Sequence, residues 1–301
     1  MAVRISGFTY LRNGFDYDVP FIQAINSIID ICDEFIVVLG DSIDGSKEAI
    51  QNLNNPKIKI IDTIWDFANN EKGKIFADQT NIGLQACTGD WLFHVQADEV
   101  IHENDLPKVI AAINKHHNNR LVEGLLLPFL HFFGGYNYIR TSRRVHKHEI
   151  RVLRNQKGIK SYKDSMGFRH YGDVSSATEV SQLQGRKLNV VKVDAPIYHY
   201  TMVRPPSSTA KALQLGYFYQ DQRKKYDNDL FDPRNRMDRL ELFTGTHPRV
   251  MHEKVASQDW EFVFDPSKAD WRLKDRIMTP LEDLLGFRIG EYKNYKLLKL
   301  A

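Results

Sequence analysis

The sequence predicts an α/β fold, a doubly wound sheet of mostly parallel strands with a helical C-terminal extension. Three observations predict it. Short β-branched runs alternate with helical patterns through the first hundred or so residues, which is the βαβ signature of a parallel sheet. The run Phe35 to Leu39 is apolar without polar alternation, as expected of a strand covered on both faces. Polar clusters then follow these runs directly, where an open α/β sheet carries its ligands.

The elements read in order. Val3 to Phe8 predicts a strand, and Phe21, Ile22, Ile25, Ile28 and Ile29 recur at helical spacing behind Asp18 and Pro20, read as a cap and first-turn pair. Phe35 to Leu39 is the second strand, Ser46 to Leu53 a short helix and Ile58 to Ile61 the third strand. Ile75 to Cys87 is a longer helix with Gly89 expected as its C′ residue, and Trp91 to Val95 is the fourth strand. Asp105 and Pro107 repeat the cap-and-proline arrangement before another helix. Leu125 to Phe129, Glu149 to Leu153 and Asn189 to Tyr198 read as strands without regular intervening helices, expected to add antiparallel. Beyond Pro205, aromatic and basic residues at helical spacing, punctuated by Pro233, Pro248 and Pro280, predict the extension. The expected division is a sheet domain over 1–203 and the extension over 204–301.

Composition narrows the function. A chain of 301 residues that is 42% hydrophobic buries a sizeable core. The balance of 41 basic against 38 acidic residues gives a net charge of only +3, and no RNP-type stacking sequence is present, so nucleic acid is not the expected partner. Cys32 and Cys87 each lie in an apolar stretch and read as buried thiols of a reducing compartment. No apolar run reaches the length of a membrane span, which predicts a cytoplasmic protein, soluble or held peripherally at the inner face of the membrane. Neither a dinucleotide fingerprint nor a P-loop occurs, so phosphates would be neutralised by a metal held on strand-end carboxylates.

The segments DEFIVVLGDSIDGS, NIGLQACTGDWLFHVQADEVIHENDL and IYHYTMVRPP, in that order and spacing, resemble the family 2 glycosyltransferases. The resemblance implies a GT-A type sheet, a nucleotide-diphosphate sugar donor, a glycan or lipid-linked acceptor, and a divalent cation, Mn²⁺ or Mg²⁺. It also implies transfer with inversion in the synthesis of a glycan or cell-surface polysaccharide. Carried over by position, Asp98 matches the metal-binding member of the family's acidic strand-end motif, and Asp44 matches an aspartate that contacts the nucleoside. Three positions depart from the pattern: Gln96 stands where a first aspartate is usual, Gly14 follows Asn13 where glutamate is usual, and Thr80 replaces an arginine. The family's frequent Glu-Asp pair that carries the base has no counterpart in the sheet domain.

Candidate residues follow from position and chemistry. Thr9, Tyr10, Arg12, Asp44, Lys74, Gln96 and Asp98 are the expected donor-binding set, and Asp98 with His199 the expected metal ligands. His199 reads equally as a hydrogen-bonded core residue. An acceptor hydroxyl needs a base, for which Asp164 comes first because it lies in a polar loop; Glu149, at a strand start, is the second candidate. The dense basic run from Arg140 to Arg154 reads either as a solvated face or as an anion site. Trp65, Phe132, Phe133, Tyr136 and Tyr138 read as core packing or as a lid over the acceptor. A nucleotidyltransferase would want a Gly-rich loop with a lysine after the first strand, which Leu11 to Phe15 lacks; a degenerate, non-catalytic sugar-nucleotide binder is the other alternative.

Overall fold

Four strands near the N-terminus pair in parallel and lie between two layers of helices. In the computed structural model, which describes residues 2–67, 73–165, 167–172, 185–205 and 237–299, these are β1 (Ile5–Leu11), β2 (Glu34–Leu39), β3 (Ile58–Asp62) and β4 (Trp91–His94). They stand in the order β3-β2-β1-β4, all parallel. The connecting helices are α1 (Phe21–Ile28), α2 (Ser46–Gln51) and α3 (Ile75–Ala86), followed by α4 (Leu106–His116). Every residue of β2 is buried, as its unbroken apolar run requires. The main core joins α1 and α4 to one face of the sheet; a second core sets Leu84 and Cys87 against Phe8, Ile36 and Val38 on the other.

Two cap expectations fail for identifiable reasons. Asp18 makes no cap and sits at φ +49°, while Pro20 occupies the N-cap position of α1. Gly89 is not a left-handed C′ residue. It lets the chain pass close to β1, since a Cβ there would meet the Ser6 nitrogen at 2.8 Å. Cys32 and Cys87 are both free and buried, and burial pushes the Cys32 thiol up to about 12.

Beyond β4 come β5 (Glu99–Ile101), β6 (Gly124–Phe133), β7 (Gly135–Arg140) and β8 (His148–Arg154). Then follow β9 (Ile159–Ser161), β10 (Phe168–His170), β11 (Arg186–Lys192) and β12 (Ile197–Met202). Of the three late strands expected to be antiparallel, β8 alone is: it inserts between β4 and β6 and opposes both. The predicted strand from Asn189 to Tyr198 is two strands, β11 and β12, both parallel to β6. The break falls before Pro196, which has no N–H to give a ladder. β12 also pairs antiparallel with β5, so it lies between β5 and β6.

Among the described residues after 204, α5 (His252–Ala256) and α6 (Leu273–Leu285) are helical. The same stretch also returns two short strands to the sheet: β13 (Leu240–Leu242) on β7 and β14 (Tyr295–Leu297) on β11. Residues 206–236, part of the stretch whose spacing predicts a helical extension, lie outside the described residues. Among those described, no helix is long and apolar enough to cross a membrane.

Candidate active site

One cleft opens where β1 and β4 end. β1 brings Tyr10, Leu11 and Arg12 to it, and Trp65 and Phe76 form its aromatic wall. The turn after β4 brings Gln96 and Asp98, and the loop after β9 brings Asp164. Five of the residues predicted from sequence, Tyr10, Arg12, Gln96, Asp98 and Asp164, therefore meet in one place.

The turn after β4 is held from several directions. Glu99 N–H donates to the Gln96 carbonyl at 3.0 Å and Gln96 N–H donates to Glu99 Oε2 at 3.1 Å. Tyr200 N–H donates to the Asp98 carbonyl at 2.9 Å, tying the turn to β12. Both Glu99 oxygens accept from Arg151, at 2.6 Å each, and the pair is buried. Leaving either charge buried without the other would be costly, so the pair fixes where the turn can sit.

Strand register then assembles a row of candidate ligand groups. His199 on β12 stands opposite Glu99 on β5 and beside His131 on β6. Ligand atoms of Asp98, Glu99 and His199 lie within 4.8 Å of one another, and His199 Nε2 is 3.4 Å from Asp98 Oδ2. Glu99 is committed to Arg151, so the oxygen and nitrogen aimed at a cation come from Asp98 and His199. The hydrogen bonds fix the imidazole tautomers. His131 Nε2 lies 2.8 Å from the His146 carbonyl, which can only accept, so His131 carries its proton on Nε2. Burial, with His199 and His146 alongside, holds His131 well below the usual histidine range, so it is neutral and its Nδ1 accepts. His199 Nδ1, 2.9 Å away, must then donate, which leaves His199 Nε2 facing Asp98. This is the orientation of a metal-ligating imidazole whose other nitrogen is anchored. Sequence reasoning missed His131; its position in register with His199 appears only once the sheet is paired.

Asp164 is exposed on the cleft, between two residues in the left-handed region, Lys163 at φ +55° and Ser165 at φ +64°. Such backbone persists only when its surroundings hold it. α3 does so: Asn81 bonds the Ser161 backbone both ways, at 2.8 and 3.1 Å, and Thr80 Oγ1 lies 3.1 Å from Ser165 Oγ. Thr80, the departure from the family's arginine, thus braces the Asp164 loop. Tyr10, raised chiefly by burial and then by Asp98 and Glu99, also reaches Ser165 with its hydroxyl.

The loop after β2 behaves differently. Asp44 accepts from the N–H groups of Phe15 (2.7 Å), Asp16 (3.0 Å) and Ser46 (3.1 Å), fastening the loop after β1 to the start of α2. Burial opposes its ionisation, but those hydrogen bonds outweigh it and hold the carboxyl below its ordinary range. Asp44 does not line the cleft; Asp41 is the aspartate of this loop tied to it, accepting from Arg12 at 3.0 and 3.3 Å and from Trp65 N–H at 3.2 Å. Gly14, the second departure, fits because a Cβ would meet the Phe21 ring at 2.5 Å. Thr9 is buried, with its hydroxyl 3.5 Å from the Tyr10 carbonyl, and Lys74 pairs with Asp78 at 3.0 Å; neither lines the cleft.

Glu149 is half-buried near Arg151. Burial raises its carboxyl, Arg151 opposes this, Glu99 adds to it, and the result is about 7. The other arginines of the basic run are engaged within the fold, while His146 and Lys147 are exposed. Arg140 forks onto Asp238, Arg143 pairs with Glu282, Arg144 reaches Asp270, and Arg154 donates to four carbonyls around the end of α4. These cations hold the extension and α4 to the sheet. Phe132 and Tyr136 belong to an aromatic core with Tyr198 and Tyr200, and Phe133 packs on Phe262, so these rings are packing rather than lid.

Comparison with known proteins follows the same lines. Residues 21–171, half of the chain, match the family described as glycosyl transferase family 2. Among solved structures, S. aureus TarS 1-349 in complex with UDP is similar at 19% identity over 46% of this chain and 38% of that one, with a TM-score of 0.34. Glucosyl-3-phosphoglycerate synthase from Mycobacterium tuberculosis, in complex with Mg²⁺ and uridine diphosphate, is similar at 16% identity over 44% of each chain, with a TM-score of 0.29. The similarity thus spans less than half the length of either. A search of curated proteins gives no match. The matched segment contains β2, β3 and β4, the Asp98 turn and the Asp164 loop, and by that match the chain belongs to glycosyl transferase family 2.

Proposed function

We propose that this glycosyltransferase is inverting and metal-dependent, taking a sugar from a nucleotide-diphosphate donor to the hydroxyl of a glycan or lipid-linked acceptor. The observation that carries the reading is that Asp98 and Asp164, from loops of opposite origin, line one cleft at the carboxyl end of the parallel strands. Asp98 and His199 would hold Mn²⁺ or Mg²⁺, an oxygen and a nitrogen donor suited to such a cation, with phosphate or water oxygens completing its shell. When bound, the cation stabilises negative charge on the departing diphosphate.

The chain's own groups do the rest. Asp164 takes the proton of the acceptor hydroxyl as its oxygen bonds to the anomeric carbon. The bond from that carbon to the diphosphate oxygen breaks, and its electron pair leaves with the nucleoside diphosphate. Arg12, steadied by Asp41, and the Trp65 and Tyr10 rings form the donor side of the cleft, while Gln96 offers an amide there. Glu149 is half-buried near Arg151 and does not line the cleft, which favours a bracing role over contact with the acceptor. The extension from residue 204 would shape the acceptor side, and glycan or cell-surface polysaccharide synthesis is the proposed setting, with the enzyme in the cytoplasm or peripheral at the membrane.

The test compares Asp164→Asn with Glu149→Gln across a panel of nucleotide sugars. Asp164→Asn should keep donor affinity and lower turnover by about a hundredfold or more, the usual scale for a lost general base. Loss of turnover in Glu149→Gln alone would move the base to β8. Donor binding without turnover in the wild type, with any acceptor, would instead favour a sugar-nucleotide-binding domain.

A further inference from the structure

α6 is an inside-out amphipathic helix. Its buried positions are polar: Asp275, Thr279 and Glu282, spaced i, i+4, i+7. They face inward because the basic run awaits them, with Glu282 pairing with Arg143 and Asp275 lying 3.9 Å from Arg144. Much of its outer face is apolar. Leu273, Ile277, Leu281, Leu284 and Leu285 are exposed by 39% to 82%, and Phe287 beyond the helix is 58% exposed. A monomer rarely leaves so much contiguous apolar surface open to water.

We infer that this ridge is a homodimer interface, in which α6 packs against α6 of a second copy, antiparallel about a two-fold axis level with Thr279. Three features point to a copy of the same chain. Leu273, Ile277, Leu281 and Leu285 form one i±4 row, the row that interlocks with its like in the commonest class of helix packing. The row is also self-complementary, since antiparallel alignment sets Leu273 opposite Leu285 of the partner subunit and Ile277 opposite Leu281 of the partner subunit, as an isologous contact demands. Charge agrees with it. Asp283 pairs with Arg239 within each chain, and an antiparallel copy adds Arg276 beside Asp283 of the partner subunit. Side chains exposed to this degree offer a surface on the order of the 800 Å² that each partner gives to a standard interface. The inference does not depend on the transferase reading.

Sedimentation equilibrium of the full chain tests it. The wild type should approach twice the chain mass, and Ile277→Glu with Leu281→Glu should halve that mass while leaving the far-UV circular dichroism and donor binding unchanged. Under mild oxidation, a mixture of Ile277→Cys and Leu281→Cys chains should cross-link faster than either variant alone, because only the antiparallel register sets the two positions opposite each other. A wild type that stays monomeric through a dilution series overturns the proposal. So does flotation of a monomer with phosphatidylglycerol vesicles that the double variant loses, which would make the ridge a membrane contact. Slow thiol labelling of Ile277→Cys in a monomer would likewise overturn it, pointing to a cover from residues 206–236 of the same chain.

Discussion

The turn after β4 and the loop after β2 look alike in the sequence, each a short acidic motif closing an apolar parallel strand. They are used differently. After β4, Glu99 takes the buried Arg151 and leaves Asp98 on the cleft beside His199. After β2, Asp44 is spent on three backbone N–H groups, and Asp41 holds Arg12 instead. A strand-end carboxylate thus becomes a site only where a neighbour relieves it of structural duty. At β4 the neighbour is the adjacent glutamate; at β2 the duty falls on the very aspartate that family resemblance would make functional.

The largest effect should come from removing what braces the β4 turn. Arg151→Met leaves Glu99 buried without a counter-charge and should destabilise the fold by about 3–5 kcal/mol, measured by denaturant unfolding. A loss as small as that of an ordinary surface substitution would mean that the turn does not depend on the pair. The next effect is on the cation. His131→Leu removes the acceptor of the His199 Nδ1 proton and should weaken Mn²⁺ binding by roughly 10- to 100-fold, with His131→Asn, which retains an acceptor oxygen, recovering part of it. Equal Mn²⁺ affinity in all three proteins would remove His131 from the site.

Much of the fold was legible because it rests on local signals. The unbroken run of β2, the helical spacing of α1 and the strand-end position of Asp98 needed no partner to be read. What stayed hidden depends on pairing across long sequence distances. Glu99 and Arg151 are 52 residues apart and His131 and His199 are 68 apart, so neither contact leaves a spacing signature. The basic run was misread for a related reason, since its carboxylate partners Asp238, Asp270 and Glu282 lie in the extension, far from it in sequence. Gly89 shows the same limit in miniature: a glycine after a helix suggests a C′ residue, and only the approach of Ser6 shows its other use.

The smallest effect is one of pH. Glu149 is raised to about 7 in the folded chain from an ordinary value near 4.5, so the folded state binds more proton than the unfolded state between those values. Its contribution to stability is therefore present below pH 4.5 and lost as pH rises through 7. Glu149→Gln should flatten that decline, and an unchanged slope between wild type and variant would show that Glu149 ionises normally.

The central contrast is tested most directly by donor affinity, with and without Mn²⁺, in Asp98→Asn and Asp44→Ala. Asp98→Asn should keep its stability and lose the Mn²⁺-dependent part of donor binding, because an amide is a poorer ligand for a hard cation. Asp44→Ala should do the reverse, losing about 0.5–2 kcal/mol of stability as helix-cap losses do, while its Mn²⁺-dependent donor binding survives. Retained Mn²⁺ dependence in Asp98→Asn, together with lost donor binding in a normally stable Asp44→Ala, would contradict the account and return the site to the β2 loop.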